Sequence, residues 1–236
     1  MTDTNTLNES QKWNYFAHNY DSKIFSLTSF LQRKQQVLDR IVKGNILNLG
    51  TGPTTYLNKD LVEDGNIVIA TDFCKNMLDE ASKKFSHFDL EYKLADSRSL
   101  PFQDNSFDSV ISVNSILPPE RSHVFEMFNE VYRVLKPKGK FVAFLCSYDS
   151  VKRANQNLNA GYELDDLQQR MIDTACWQCF HTPSTIEENM LESGFSKYDF
   201  EKVYLDSKDE ISEFKKIYGV DTSSSLIYEY LLVAEK

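Results

Sequence analysis

Apolar positions along the middle of the chain follow two alternating rhythms. Ile46 to Leu49 is a short apolar strand, Ile67 to Thr71 is all apolar or β-branched as a strand buried on both faces should be, and 90–95, 107–113 and 140–146 read as further strands. Between them lie stretches with helical spacing: 8–20; 25–42, with Phe30, Leu31, Leu38, Ile41 and Val42 as its stripe; a helix ending near Val62; 75–85; and 120–135, with Val124, Met127, Phe128, Val131 and Leu135 on one face. The alternation over 46–146 predicts a parallel sheet with helices on both faces. After Cys146 the pattern changes to a polar stretch, 150–180, that reads as mostly helical. A capped helix over 184–193 then stops at Gly194, and strands over 198–205 and 225–234, flanking a helix over 208–217, are expected to extend one sheet edge.

No repeat, low-complexity tract or Pro/Gly-rich linker divides the 236 residues, so they read as one domain. Its expected parts are an N-terminal helical cap (1–44), a ligand-binding core (45–146), a helical insertion (147–182) and a C-terminal helix with edge strands (183–236). A total of 26 Lys and Arg against 35 Asp and Glu gives a net charge of −9, which argues against nucleic-acid or anionic-membrane partners. No apolar run approaches the roughly 20 residues that span a bilayer, and Met1 to Gln11 is polar, so a cytoplasmic protein is expected. Of the four cysteines only Cys176 and Cys179 form a C-x-x-C pair. A structural zinc site wants two more ligands at similar spacing, so the pair reads as two thiols one helical turn apart, and no metal is expected.

In an open parallel sheet, ligands bind at the C-terminal ends of the strands. Gly50-Thr51-Gly52 follows the first strand there and reads equally as a tight strand-to-helix turn or as a loop that lets backbone approach a ligand. Asp72 ends the second strand, about twenty positions on, where a carboxylate accepts from ribose hydroxyls; it also stands where it would cap helix 75–85. Asp96 ends the third strand in the same way. Two neighbouring carboxylates suit a nucleoside with an exocyclic amine and repel a pyrophosphate.

Four motifs now resemble one family, the class I S-adenosylmethionine-dependent methyltransferases, in particular those acting on small molecules. They are Ile46-Leu47-Asn48-Leu49-Gly50-Thr51-Gly52-Pro53, Ile69-Ala70-Thr71-Asp72-Phe73, Leu94 to Phe102 running into Asn105-Ser106-Phe107-Asp108, and Glu130 to Lys140. The resemblance implies a Rossmann-like, doubly wound α/β fold with a seven-stranded, mostly parallel sheet, order 3-2-1-4-5-7-6 with strand 7 antiparallel. It implies S-adenosylmethionine as cofactor, with Gly50, Thr51 and Gly52 beside its methionine part, Asp72 on the ribose, Phe73 on the adenine, Asp96 on the adenine amine and Ser97 beside the ring. Asn114 would face the methionine end, and Tyr20 looks like part of the segment that covers the cofactor. The sequence departs from the family at Asn48, commonly acidic, and at Thr54, commonly small.

Methyl transfer from a sulfonium is an in-line displacement whose main demand is alignment, and a base is optional. His181 and His123 are the imidazoles nearest the expected pocket, and Tyr148 stands just past the fifth strand; for each a structural role is the commoner reading. Residues 147–182, carrying Tyr162, Trp177 and Phe180, together with the N-terminal helix around Tyr15 and Tyr20, are expected to cover the pocket. The function expected is methyl transfer to a small-molecule acceptor. Its alternatives are a non-catalytic binding or regulatory protein on the same fold and a nicotinamide-dependent oxidoreductase, whose G-x-G-x-x-G pattern would need Gly or Ala at Thr55.

Overall fold

The computed structural model describes residues 8–19, 27–53, 56–86, 88–158, 161–173, 176–204 and 227–236. In chain order its elements are α1 (Glu9–Phe16), α2 (Leu27–Leu38), β1 (Asn45–Leu49), α3 (Tyr56–Glu63), β2 (Ile67–Asp72), α4 (Lys75–Lys84), β3 (Glu91–Leu94), β4 (Phe107–Val113), α5 (Arg121–Val134) and β5 (Leu135–Cys146). There follow α6 (Tyr148–Leu158), β6 (Leu164–Asp165), β7 (Arg170–Asp173), β8 (Cys176–Cys179), α7 (Pro183–Glu192), β9 (Lys197–Tyr204) and β10 (Tyr228–Glu235).

The main sheet has the order β3-β2-β1-β4-β5-β10-β9. The first five strands are parallel, and β10 runs antiparallel between β5 and β9. Setting aside β6 to β8, which form a separate small sheet, this is the expected 3-2-1-4-5-7-6 arrangement with its seventh strand reversed.

The period of two along each strand divides the core into two layers. Leu47 and Leu49, Val110, Phe141, Ala143 and Leu145, and Tyr230 and Leu232 face α5 and α7, where Val124, Phe128, Val131, Ile186 and Met190 are buried. The intervening residues Ile46, Ile111, Val142, Phe144 and Leu231 point the other way, onto Val37 of α2 and Leu57 and Leu61 of α3. Helix α1 opens on a capping box between Asn8 and Gln11 and packs Phe16 against Met77 and Cys74 at the start of α4. No helix among the described residues is long and apolar enough to cross a membrane.

The stretch 150–180 differs from its sequence reading. Only Tyr148–Leu158 is helical; among the other described residues, β6, β7 and β8 pair into a three-stranded antiparallel sheet. Leu164, Leu167 and Met171 carry a helix-like spacing, but Asp165 Oδ1 accepts the N–H groups of Leu167 and Gln168, both at 3.1 Å, and turns the chain back. Leu167 is left 87% exposed at that turn. A local side-chain acceptor and strand pairing thus override the periodicity. Cys176 and Cys179 accordingly lie three apart on a strand, on opposite faces, rather than one helical turn apart, and neither is in a disulfide. The helix expected over 208–217 lies outside the described residues.

Phe128 is fully buried and meets Phe141 edge-on at 5.7 Å. Replacing it with Ala should lower unfolding free energy by about 3–5 kcal/mol. Leu167→Ser should change it by less than about 0.5 kcal/mol, because that side chain is in solvent. Urea titration of both variants checks the pair of expectations.

Candidate active site

The parallel strands bring their C-terminal ends to one edge of the sheet. The loop after β1 meets the loop after β4 there at very short range. Gly50 has φ +59°, and a Cβ on it would lie 2.3 Å from Cβ of Ser115. Ser115 Oγ donates to the Leu49 carbonyl at 2.7 Å, so the two loops are stitched at the point where only glycine fits. On the other side, Thr51 N–H donates to the Thr71 carbonyl at 2.9 Å and Gly52 N–H to Asp72 Oδ2 at 3.0 Å, tying the loop to the end of β2.

Asn48 explains its own departure from the family pattern. It is buried, and its Nδ2 donates to Asn58 Oδ1 at 2.7 Å and lies 3.3 Å from Thr51 Oγ1, while Asn58 Nδ2 donates to the same Oγ1 at 2.9 Å. The amide braces the glycine loop from below and is not part of the cleft wall. Thr54 lies outside the described residues.

Above the sheet edge lies a cleft of about 770 Å³, counted out to its mouth. Gly50, Gly52, Asp72, Phe73, Asp96, Ser97 and Asn114 all line it. Of the other two cofactor candidates, Thr51 points into the Asn48 network and Tyr20 lies outside the described residues. The sequence reading missed Glu9 and Trp13 of α1, Arg98, and the apolar wall of Val113, Leu117, Pro118 and Met127. Glu9 and Trp13 share a helix face at i, i+4 spacing, the one legible hint that α1 presents them together. Tyr15, from which a covering contact was expected, is 64% exposed.

The cleft is acidic. Burial pushes Asp72 up to about 6, against the pull of the Cys74, Gly52 and Phe73 backbone N–H groups. Burial likewise raises Glu9 to about 7, opposed by the charge of Arg98 and reinforced by Asp96 and Asp72. Asp96 moves the other way: Arg98, whose Nε lies 2.9 Å from Oδ1 and 3.0 Å from Oδ2, holds it below the ordinary carboxylate range. Arg98 thus pairs with Asp96 and, with Lys12, offsets the charge of Glu9, while Asp72 is held by backbone N–H groups.

The three candidates for catalysis stand behind the cleft, not on its wall. His181 is fully buried, its Nε2 bonded to the Ile116 carbonyl at 2.9 Å, and burial drives its pKa down to about 3. It is a neutral imidazole within the core, beside Phe128. His123 Nδ1 sits 3.2 Å from Arg98 Nη1, where it accepts from the guanidinium and steadies it. Tyr148 donates to Asp166 Oδ1 at 2.8 Å, and burial together with that carboxylate raises its pKa. Tyr148, Met171 and Phe180 form a core of their own with Tyr162 beside it, while Trp177 lies under Arg170. This cluster reaches the cleft through Leu117, which packs on it and also lines the wall.

Comparison with known proteins gives a consistent likeness. Residues 47–143 match the family described as a methyltransferase domain. Demethylmenaquinone methyltransferase of Lactococcus lactis subsp. lactis is 25% identical over 223 residues, covering 86% of this chain and 87% of that protein. Malonyl-[acyl-carrier protein] O-methyltransferase of Marinomonas sp. is 29% identical over 216 residues, covering 85% and 75%. Two other curated relatives are matched over only 26% and 40% of their own length, so the chain spans well under two thirds of those. The crystal structure of the PH0226 protein from Pyrococcus horikoshii OT3 superposes with a TM-score of 0.64 at 23% identity, covering 99% of this chain and 93% of that one, which shows a shared fold.

The raised pKa of Glu9 has a definite sign for stability. The folded state holds the proton more tightly than the unfolded one, so this contribution is present below about pH 4.5 and is lost as pH rises through about 7. Glu9→Gln, a stand-in for the protonated acid, should leave the melting temperature little changed at pH 5. At pH 8 it should add on the order of 1–2 kcal/mol, flattening the profile between pH 6 and 8. Thermal melts across that range read the difference.

Proposed function

We propose that the chain is a class I S-adenosylmethionine-dependent methyltransferase that transfers a methyl group from S-adenosylmethionine to a small-molecule acceptor in the cytoplasm, a reading supported by the match of residues 47–143 to a methyltransferase domain. The observation that carries this reading is the pair of carboxylates, Asp72 and Asp96, at adjacent strand ends of one cleft beside a glycine loop. The residues present fit the cofactor. At Gly52, with φ +62°, nothing stands within 4 Å of where a Cβ would be, so backbone lies open to a ligand. Two carboxylate acceptors match a ribose and an exocyclic amine.

S-adenosylmethionine supplies a methyl group activated on a sulfonium, open to in-line attack by the acceptor. The chain's share is to bind, orient and exclude water. Asp72 would take the ribose hydroxyls and Asp96 the adenine amine, with Phe73 and Ser97 flanking the ring. Val113, Leu117, Pro118 and Met127 offer an apolar wall that keeps the reacting end dry and favours an acceptor with an apolar face. Glu9 is the titratable cleft residue whose carboxylate has no hydrogen bond among the described residues, and its pKa of about 7 suits it to take a proton from an acceptor. The relatives' names differ in acceptor, one demethylmenaquinone and one a malonyl-acyl-carrier protein, so they support the reaction type and not one acceptor. Residues 147–182 would brace the acceptor side of the cleft: Cys179 N–H donates to the Pro118 carbonyl at 2.9 Å and Arg170 Nη1 to that of Pro119 at 3.1 Å.

Asp72→Ala should weaken S-adenosylmethionine binding by about 2–3 kcal/mol, through loss of charge-assisted contacts and of the Gly52 anchor. Calorimetry measures it, and unchanged affinity would move the ribose elsewhere. With a net charge of −9, the protein should also give no salt-sensitive shift of random DNA or RNA in a mobility assay. A clear shift would exclude the small-molecule reading.

A further inference from the structure

A line of polar side chains runs from the far face of the sheet to the cleft. Arg33 on α2 donates from Nε to Glu229 Oε2 at 2.6 Å, and Asn114, just past β4, donates from Nδ2 to Glu229 Oε1 at 2.7 Å. The ion pair is nearly dry, its two side chains 12% and 10% exposed. Chemistry fixes the orientation of the Asn114 amide, because an ionised carboxylate only accepts, so the NH2 must face Glu229 and the oxygen must turn away. That oxygen, Oδ1, is buried with no hydrogen-bond partner among the described residues. The backbone holds the residue in place, at φ +52° and with its N–H on the Phe144 carbonyl at 3.0 Å. An unpaired buried acceptor on a residue lining a ligand cleft is costly unless a ligand brings the donor.

The sheet order says which part of a ligand that would be. Asp96, Asp72, the glycine loop and Asn114 follow one another across the edge as the ends of β3, β2, β1 and β4. A nucleoside held at Asp96 and Asp72 places whatever its 5′ carbon carries over β1 and β4. In the proposed cofactor that part is the amino-acid chain, whose donor is its amino group. We propose that Glu229, braced by Arg33, is a positioning residue that locks the Asn114 amide so that its oxygen receives an N–H from the amino-acid end of the cofactor. The inference rests on the cofactor reading above.

The test uses two probes, S-adenosylhomocysteine and 5′-methylthioadenosine, which shares the nucleoside and thioether but has no amino-acid chain. Calorimetry on the full-length protein should show Asn114→Ala and Glu229→Ala each weakening S-adenosylhomocysteine binding about tenfold. The double variant should be no weaker than either single one, since Glu229 acts through Asn114. Binding of 5′-methylthioadenosine should stay the same throughout. Glu229→Ala leaves Arg33 buried without its carboxylate; Arg33→Leu with Glu229→Leu removes both charges, keeps the fold and should show the same selective loss. Unchanged S-adenosylhomocysteine affinity in Asn114→Ala, multiplied losses in the double variant, or equal weakening of both probes would each overturn the proposal. If the wild-type protein binds neither probe, the cofactor reading itself is wrong, a result distinct from these.

Discussion

The site depends on how closely the loop after β1 approaches the loop after β4. β1 is paired on both sides, with Leu47 opposite Ile69 of β2 and opposite Val110 of β4. Its chain must therefore turn out of the sheet in a gap bounded by two neighbours. Gly50 makes the turn at positive φ against Ser115, and the Leu49 carbonyl is closed off by the Ser115 hydroxyl. Any side chain at Gly50 would push the two loops apart, and with them Asp72, held through Gly52, and Asn114, next to Ser115. The cleft's opposite walls are thus set by one steric contact rather than by their own strength.

That geometry concentrates like charge. Glu9, Asp72 and Asp96 face the same space, and the positive charge lining it belongs to Arg98, which is spent largely on Asp96. The cost shows in the raised pKa values of Asp72 and Glu9. A cleft biased in this way favours a cationic ligand and disfavours a pyrophosphate. It therefore weighs against a nicotinamide dinucleotide on electrostatic grounds, independently of the missing third glycine. Under the proposed cofactor reading Arg98 would yield Asp96 to an adenine amine, with His123, 3.2 Å from its Nη1, keeping the guanidinium in reach.

What was legible in the sequence follows from how local its cause is. Gly50, Asp72 and Asp96 could be placed because each sits just past a short segment that reads locally as a strand and so marks the strand end. A core on both faces of the sheet was legible from the alternation of strands and helices over 46–146. Glu9 and Trp13 were not legible, since their arrival at the cleft depends on Phe16 finding Met77 and Cys74, a contact across some sixty residues of chain. The turn at Asp165 was hidden beneath a spacing of leucines that mimics a helix, and the histidines were misplaced because nothing local distinguishes a buried imidazole from one that faces a ligand. His181 is a case of burial deciding chemistry: at a pKa of about 3 it stays neutral across the physiological range.

The division of labour within the chain then follows from where variation is tolerated. Residues 45–114 supply the strand ends, whose positions the sheet dictates, so under the proposed function they would hold the part of the ligand that does not change from one acceptor to another. The stretch 147–182 is bound to the sheet by different means, a β-bridge between Ser147 and His181 and backbone contacts to Pro118 and Pro119. Tyr148, Met171 and Phe180 pack in a cluster of their own within it, while Cys179 and His181 join the main core. Leu117 is the side chain through which a change in this stretch would be felt in the cleft, because it packs on that cluster and lines the wall at once. Under the proposed function, acceptor choice would then be altered from this stretch while the cofactor end of the site stays fixed.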